Sequence, residues 1–356
     1  MRTTALVTCL GACQSDSQPP DANGEGSAND PDDDTAVVAG LVAAHCLGCH
    51  DAEGPSGLVL TSMSALGANR AAIGAAVTEH RMPPFMPAPG CGAFAPDPRL
   101  ADDEVAAFRD WAAGRAVVKP AVGPTETSKE EPVSTVLGPT EPFVPLPSDL
   151  NDRTVCHEFG PPFATMTRIR GVRIRPSDAR ITHHFVLGAA PPEALIADTE
   201  ALGTVVCPYD RWQPLLGLIQ TRDPNMLPDG MAFEVPAGWS LVVEVHYNVA
   251  ALRADEPIPA ESHELDLWLA PTDSAAAPAR FDVVAADDLH IPAGNPDALV
   301  VGSRTFSDQI EILGIAPHMH IFGTGFRAEL VRADGTTECL VDIPRSRWRA
   351  ASVSRR

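Results

Sequence analysis

Two textures of apolar and polar positions divide the chain. Between residues 35 and 118 the apolar positions recur at helical spacing. Residues 37–44 form an Ala/Val/Leu run, and residues 61–79 are Ala-rich. A third run opens after Ala101 with Asp102, Asp103 and Glu104, acids that suit the positive end of a helix. Val105, Phe108 and Trp111 then repeat every three residues and define one apolar face. From about residue 143 the pattern shortens to β-rich runs at 167–174, 181–187, 239–247, 264–269, 310–315 and 326–331. Turn residues separate them: Asp229-Gly230, Pro236-Ala237-Gly238 and Asp334-Gly335. The prediction is a multidomain chain, a small all-α unit at 35–118 followed by all-β sandwiches.

Composition supports this division. At 356 residues two or three domains are expected, and 44% hydrophobic residues allow real cores. With 35 prolines and 27 glycines against 5% aromatics, short strands and turns are favoured over long bundles. Residues 119–142 are rich in proline and charge and read as a linker. The formal charge of −21 argues against a nucleic-acid partner, which needs a basic footprint.

At the N-terminus, Met1-Arg2 precedes an apolar run that ends in Leu10-Gly11-Ala12-Cys13. This is similar to the bacterial lipoprotein signal, in which the Cys is cleaved and acylated. Residues 1–13 are therefore expected to be a signal peptide with a lipobox-like end. Residues 14–34, acidic and with little to bury, are expected to be a disordered tether. The implied location is the periplasm or the outer membrane, with a lipid anchor.

Cys46-Leu47-Gly48-Cys49-His50 matches the attachment pattern of one covalent haem c. Two thiols three positions apart reach the two porphyrin vinyl groups, and the next residue offers an imidazole to the iron. Met82, in Arg81-Met82-Pro83-Pro84, is the candidate second axial ligand, with Met86 as its rival. A helix into the CxxCH, a second helix, a Met-Pro loop and a closing helix with Trp111 together resemble the small single-haem cytochromes c over about 80 residues. The competing readings are a CxxC dithiol and half a zinc site, but a Cys₄ zinc site needs a second CxxC, which the chain lacks. Cys91 has no obvious partner and reads as structural.

Three His groups stand in the β-rich region: His183-His184, His246 in Val245-His246-Tyr247, and His318-Met319-His320. Five imidazoles without a nearby thiolate suit copper or zinc. His318 and His320 share a face of a regular strand, whereas His183 and His184 point to opposite faces. For that pair to share one ion, a strand end, a bulge or an unusual ring orientation is needed. A cupin site needs a Glu where Thr324 and Gly325 stand, and a two-His-one-carboxylate iron site lacks an evident carboxylate. His45, His80, His157, His263 and His290 read as structural or surface residues.

The order His-His, Val-His-Tyr, His-x-His and the spacings between these groups resemble the copper type II, ascorbate-dependent monooxygenases, the family of peptidylglycine α-hydroxylating and dopamine β-monooxygenases. The resemblance covers residues 143–344. It implies tandem jelly-roll-like sandwiches, at 143–270 and 271–344, each with one copper, facing each other across a cleft. His183, His184 and His246 would hold an electron-storing copper. His318 and His320 would be the catalytic pair, on a second copper that activates O₂ for insertion into a C–H bond of a small-molecule or peptide substrate. Cys156 and Cys207 would fit a disulfide of the first sandwich.

Two features depart from the family. Its oxygen-binding copper has a downstream Met ligand, and no Met follows Met319 here. After Pro344 the acidic chain turns into an Arg/Ser-rich tail over 345–356. The expectation is a frameshift or truncation near Arg345, an incomplete second sandwich, and a Cys339 deprived of its partner. The expected function is an exported copper monooxygenase that receives electrons from its own haem, a periplasmic donor or ascorbate. The alternatives are a non-catalytic haem and copper electron-transfer or copper-binding protein, and a β-module for carbohydrate or protein binding with incidental His. Export by this signal predicts that a fatty-acid label enters the protein and is lost in Cys13→Ser; an unlabelled wild type would refute the anchor.

Overall fold

The computed structural model describes residues 4–6 and 31–344, except 53–55, 57, 85–86, 95–96, 98, 121–130, 140–142, 144–152, 199–203, 220–223, 248–251, 253–255, 272–273, 287–289 and 320–322. The expected signal Cys and most of the tether, Met86, His320 and the Arg/Ser-rich tail lie outside the described residues, as does the side chain of His183.

The fold is mostly β, with few helices. The helices come first: α1 (Pro31–His45), α2 (Leu47–His50), α3 (Met63–Thr78) and α4 (Asp102–Ala112). They share a core of Val38, Leu41, Leu66, Val77, Phe108 and Trp111. α4 starts where its acids predict, and Glu104 accepts from the Ala101 N–H at 2.8 Å, closing the first turn. Its buried face runs through Glu104, Ala107, Phe108 and Trp111, with Val105 at the margin. Trp111 donates to Thr35 Oγ1 at 3.1 Å, and Arg70 stacks over its ring at 5.3 Å. One indole thus ties α4 to both α1 and α3.

The β-region builds two facing sheets. The smaller orders its strands β3 (Arg153–Phe159), β9 (Ser240–Tyr247), β5 (Thr182–Ala190) and β6 (Gln213–Ile219), all antiparallel. The larger runs through β11 (Ala277–Phe281), β8 (Met231–Val235), β4 (Thr167–Arg175), β10 (Glu264–Leu269) and β2 (Thr135–Leu137). The short β1 (Thr4–Leu6) joins at β11, and β7 (Asn225–Met226) joins at β4. Alternation sends one face of each sheet inward, and Phe159, Phe185, Val243 and Val245 meet Ile169, Phe233, Leu265 and Leu267 there. Thr135–Leu137, inside the proline-rich stretch, adds an edge strand to β10, and Phe143 is buried in the same core.

A second complete sandwich is not formed among the described residues. β11 joins the first sandwich in parallel with β8. β12 (Phe326–Val331) and β13 (Thr337–Ile343) form a separate antiparallel hairpin. Residues 313–319 are irregular, where a strand was expected to begin at 310. The alternation of β12 offers one half-buried face, but no opposing sheet stacks upon it.

α3 and α4 approach so closely that a Cβ at Gly74 would lie 2.2 Å from that of Ala112. Gly74→Val should therefore push the helices apart and destabilise the helical unit by about 1–3 kcal/mol. A chemical-denaturation curve checks this, and an unchanged midpoint would contradict the packing.

Candidate metal centre

The pairing of β5 with β9 sets the centre. His184 and His246 stand directly opposite each other in this antiparallel pair. Cross-strand partners lie on one face with Cβ atoms about 5 Å apart. This is the outward face of the smaller sheet, because Phe185, Val245 and Tyr247 on either side fill the core. The register slips between Thr182 and His184, so His183 is passed over by its neighbour strand. The irregularity that a His-His pair needs in order to share one ion is thus present in the backbone.

The rings of His184 and His246 are T-shaped, with centroids 4.7 Å apart and planes at 80°. Their Nδ1 atoms approach to 3.3 Å. Two imidazole nitrogens at that separation require a proton or a cation between them. Ligands held 2.0–2.1 Å from a tetrahedral ion are themselves roughly 3.3 Å apart, so the pair has the bite of a metal site.

His318 comes to the same place, its ring 5.3 Å from that of His184 at 81°. It is exposed, whereas Met319 beside it is half-buried. The expectation placed His318 on a separate, second copper. The described residues place it beside a member of the first group.

Glu244, two residues before His246 on the same face, pairs with Tyr209; burial holds its carboxyl above the usual range, and Tyr209 and His246 oppose that shift. Close by, Cys156 and Cys207 form the expected disulfide, with Cα atoms 5.2 Å apart. Atoms of Cys156, Cys207 and Glu244 lie within 4.8 Å of one another, but the sulfurs are joined to each other and offer no thiolate. Cys91 and Cys339, read as partnerless, also form a disulfide.

Beneath His246, on the inner face, lies a polar cluster that the sequence reading assigned to structural or surface positions. Tyr247 Oη is 2.8 Å from His263 Nε2 and 3.4 Å from His157 Nε2. His263 Nδ1 lies 3.3 Å from Glu261, which accepts from Ser177 Oγ at 2.8 Å. A tautomer set that satisfies these contacts has Tyr247 donating to His263 and accepting from His157. All four large groups are buried. The alternation Val155-His157-Phe159 held the signal for His157, and a buried Tyr that needs a partner held the one for the cluster.

In the helical unit, Cys46 and Cys49 are not joined in a disulfide. Burial, with Glu104 adding, pushes the Cys46 thiol up to about 12. A reactive CxxC dithiol runs on a lowered thiol, so this environment opposes that alternative. His50 Nδ1 is engaged by Leu58 O and Ser56 Oγ, each at 3.0 Å, which leaves Nε2 available as a ligand. Burial lowers the His50 pKa and favours neutral imidazole, with the Leu58 contact opposing. Exposed Leu58, Val59 and Met63 stand next in the chain, and Met82 packs at the margin of the helical core. A histidine fixed through Nδ1 and a patch of uncovered apolar side chains would fit a flat apolar group attached at Cys46 and Cys49.

Neither the known protein families nor the curated proteins contain a match to this chain.

The buried cluster has a pH signature. Desolvation, with His157 adding, lowers the His263 pKa from 6.5 to about 3. At His263 the folded state therefore binds fewer protons than the unfolded state between these values, and that share of stability falls as pH drops through the window, while Glu261, pushed up to about 7 by burial, acts in the opposite sense above pH 4.5. His263→Gln should flatten the acid limb of the melting temperature between pH 6.5 and 3. An equally steep limb in the variant would exclude this role for His263.

Proposed function

We propose that the chain is an exported haem and copper redox protein in which a covalent c-type haem supplies electrons to a His-bound copper, and that this copper hydroxylates C–H bonds with O₂. The observation that carries the reading is the His184–His246 pair, opposed across β5 and β9 with nitrogens 3.3 Å apart. The arrangement of CxxCH, His50 and the Leu58/Val59/Met63 patch supports the haem half.

The chain's own groups have definite roles in this scheme. His184 and His246 hold the ion, and His318 stands on its open, solvent side. Glu244, hydrogen-bonded to Tyr209, lies beside His246 on the same face. Copper bound there supplies one-electron redox chemistry and a site for O₂. Cys46 and Cys49 would carry the haem, and His50 and Met82 would be its protein ligands. Hydroxylation needs two electrons, and a haem held on the same chain would supply one-electron chemistry at high effective concentration. Ascorbate or a periplasmic donor would refill it.

A second reading, electron transfer or copper binding without turnover, is favoured by two observations. Residues 271–344 do not close a second sandwich among the described residues, and His318, which the resemblance places on a second copper, stands beside His184. His318 beside His184 then points to one copper per chain rather than two.

Metal analysis of haem-matured, copper-loaded protein tests the proposal. One haem and one copper per chain are expected, with His246→Ala losing copper at least tenfold in affinity while the haem spectrum is retained. Copper uptake unaffected by His246→Ala and by His184→Ala would refute the site. Product formed with O₂ consumption decides between the two readings.

A further inference from the structure

The β13 strand pairs with β12 along one edge, and the loop that follows Met82 meets the other. Ala88 N–H donates to Asp342 O at 2.7 Å, in the manner of a short added strand. Three residues on, Cys91 is joined to Cys339, with Cα atoms 5.3 Å apart across 248 residues of sequence. Gly92, at φ +74, passes so near that a Cβ there would lie 2.2 Å from Leu340 O. Pro87 and Cys91 are buried in this contact, as are Val341 and Ile343 of β13. A backbone bond, a covalent bond and a close approach that only glycine permits thus fall within five residues of one loop.

We propose that this contact is a built interface that locks the loop following Met82 to the β12–β13 hairpin, so that the helical unit is held to the hairpin that follows His318 independently of residues 119–142. Residues 119–142 and the short β1–β11 pairing also connect the helical unit to the β-region. The purpose of the lock rests on the functional reading above: His318, which precedes the hairpin, stands beside His184, so the lock limits how far the loop of Met82 moves from the histidine pair. The interface itself stands on the contacts alone. It also protects the open edge of β13, which would otherwise present unpaired backbone groups.

The test is to place a specific protease site after Gly123 in the full chain and cut it. Cys91 and Cys339 then lie on different fragments. On a denaturing gel the cut protein should run as one species without reductant and as two with it, while the Cys339→Ser variant gives two in both lanes. In the uncut chain, the Cys339→Ser variant should show a larger radius of gyration by X-ray scattering, with unchanged helical and β circular dichroism. Two species without reductant would overturn the interface. An unchanged radius in the variant would overturn the disulfide as its lock. None of these readouts needs copper, so intact linkage with no copper uptake would defeat the functional reading and leave the interface standing.

Discussion

The antiparallel pairing of β5 with β9 is the constraint on which the rest of this molecule depends. It places Phe185 and Leu187 against Val243 and Val245 in the core, and the same register sets His184 opposite His246 on the other face. A slip of one residue would exchange the two faces, burying the imidazoles and exposing the core. The hydrophobic requirement of the sandwich therefore enforces the geometry of the His184–His246 pair. The register shift between Thr182 and His184 is the local departure from regular pairing on this strand.

The inner face has its own requirement. Tyr247 follows His246 directly, so its ring must enter the core when His246 faces out. A phenol buried there needs partners, and His263 and His157 supply them, with Glu261 beside His263 and Ser177 bound to Glu261. This polar cluster under the strand ties β3, β9 and the segment before β10 together beneath the His184–His246 pair. Across the molecule, the Cys91–Cys339 link does a comparable job between units, replacing a long, proline-rich connection by a direct bond.

β-rich runs bounded by turn residues located β4, β5, β9, β10 and β12 within a few residues. They missed β3, where the buried His157 breaks the apolar pattern between Val155 and Phe159. They also missed β11, which joins a sheet through a parallel pairing that local sequence does not announce. The helix at α4 was legible from its acids and from Phe108 and Trp111. Candidate ligands could be named from sequence, but their grouping could not. That His318 would lie beside His184, and that Cys91 would find Cys339, are consequences of long-range packing between segments far apart in the chain. Which face a histidine takes is local, but which neighbour it meets there is not.

The central claim is that haem and copper in this chain work as one redox unit. The direct measurement is the reoxidation of the reduced haem in the intact, copper-loaded protein, followed by its visible spectrum after O₂ is admitted. The account predicts first-order reoxidation at a rate independent of protein concentration, and its loss when copper is removed or when His246 is replaced by Ala. Reoxidation equally fast in the copper-free protein, or a rate that scales with protein concentration, would contradict it.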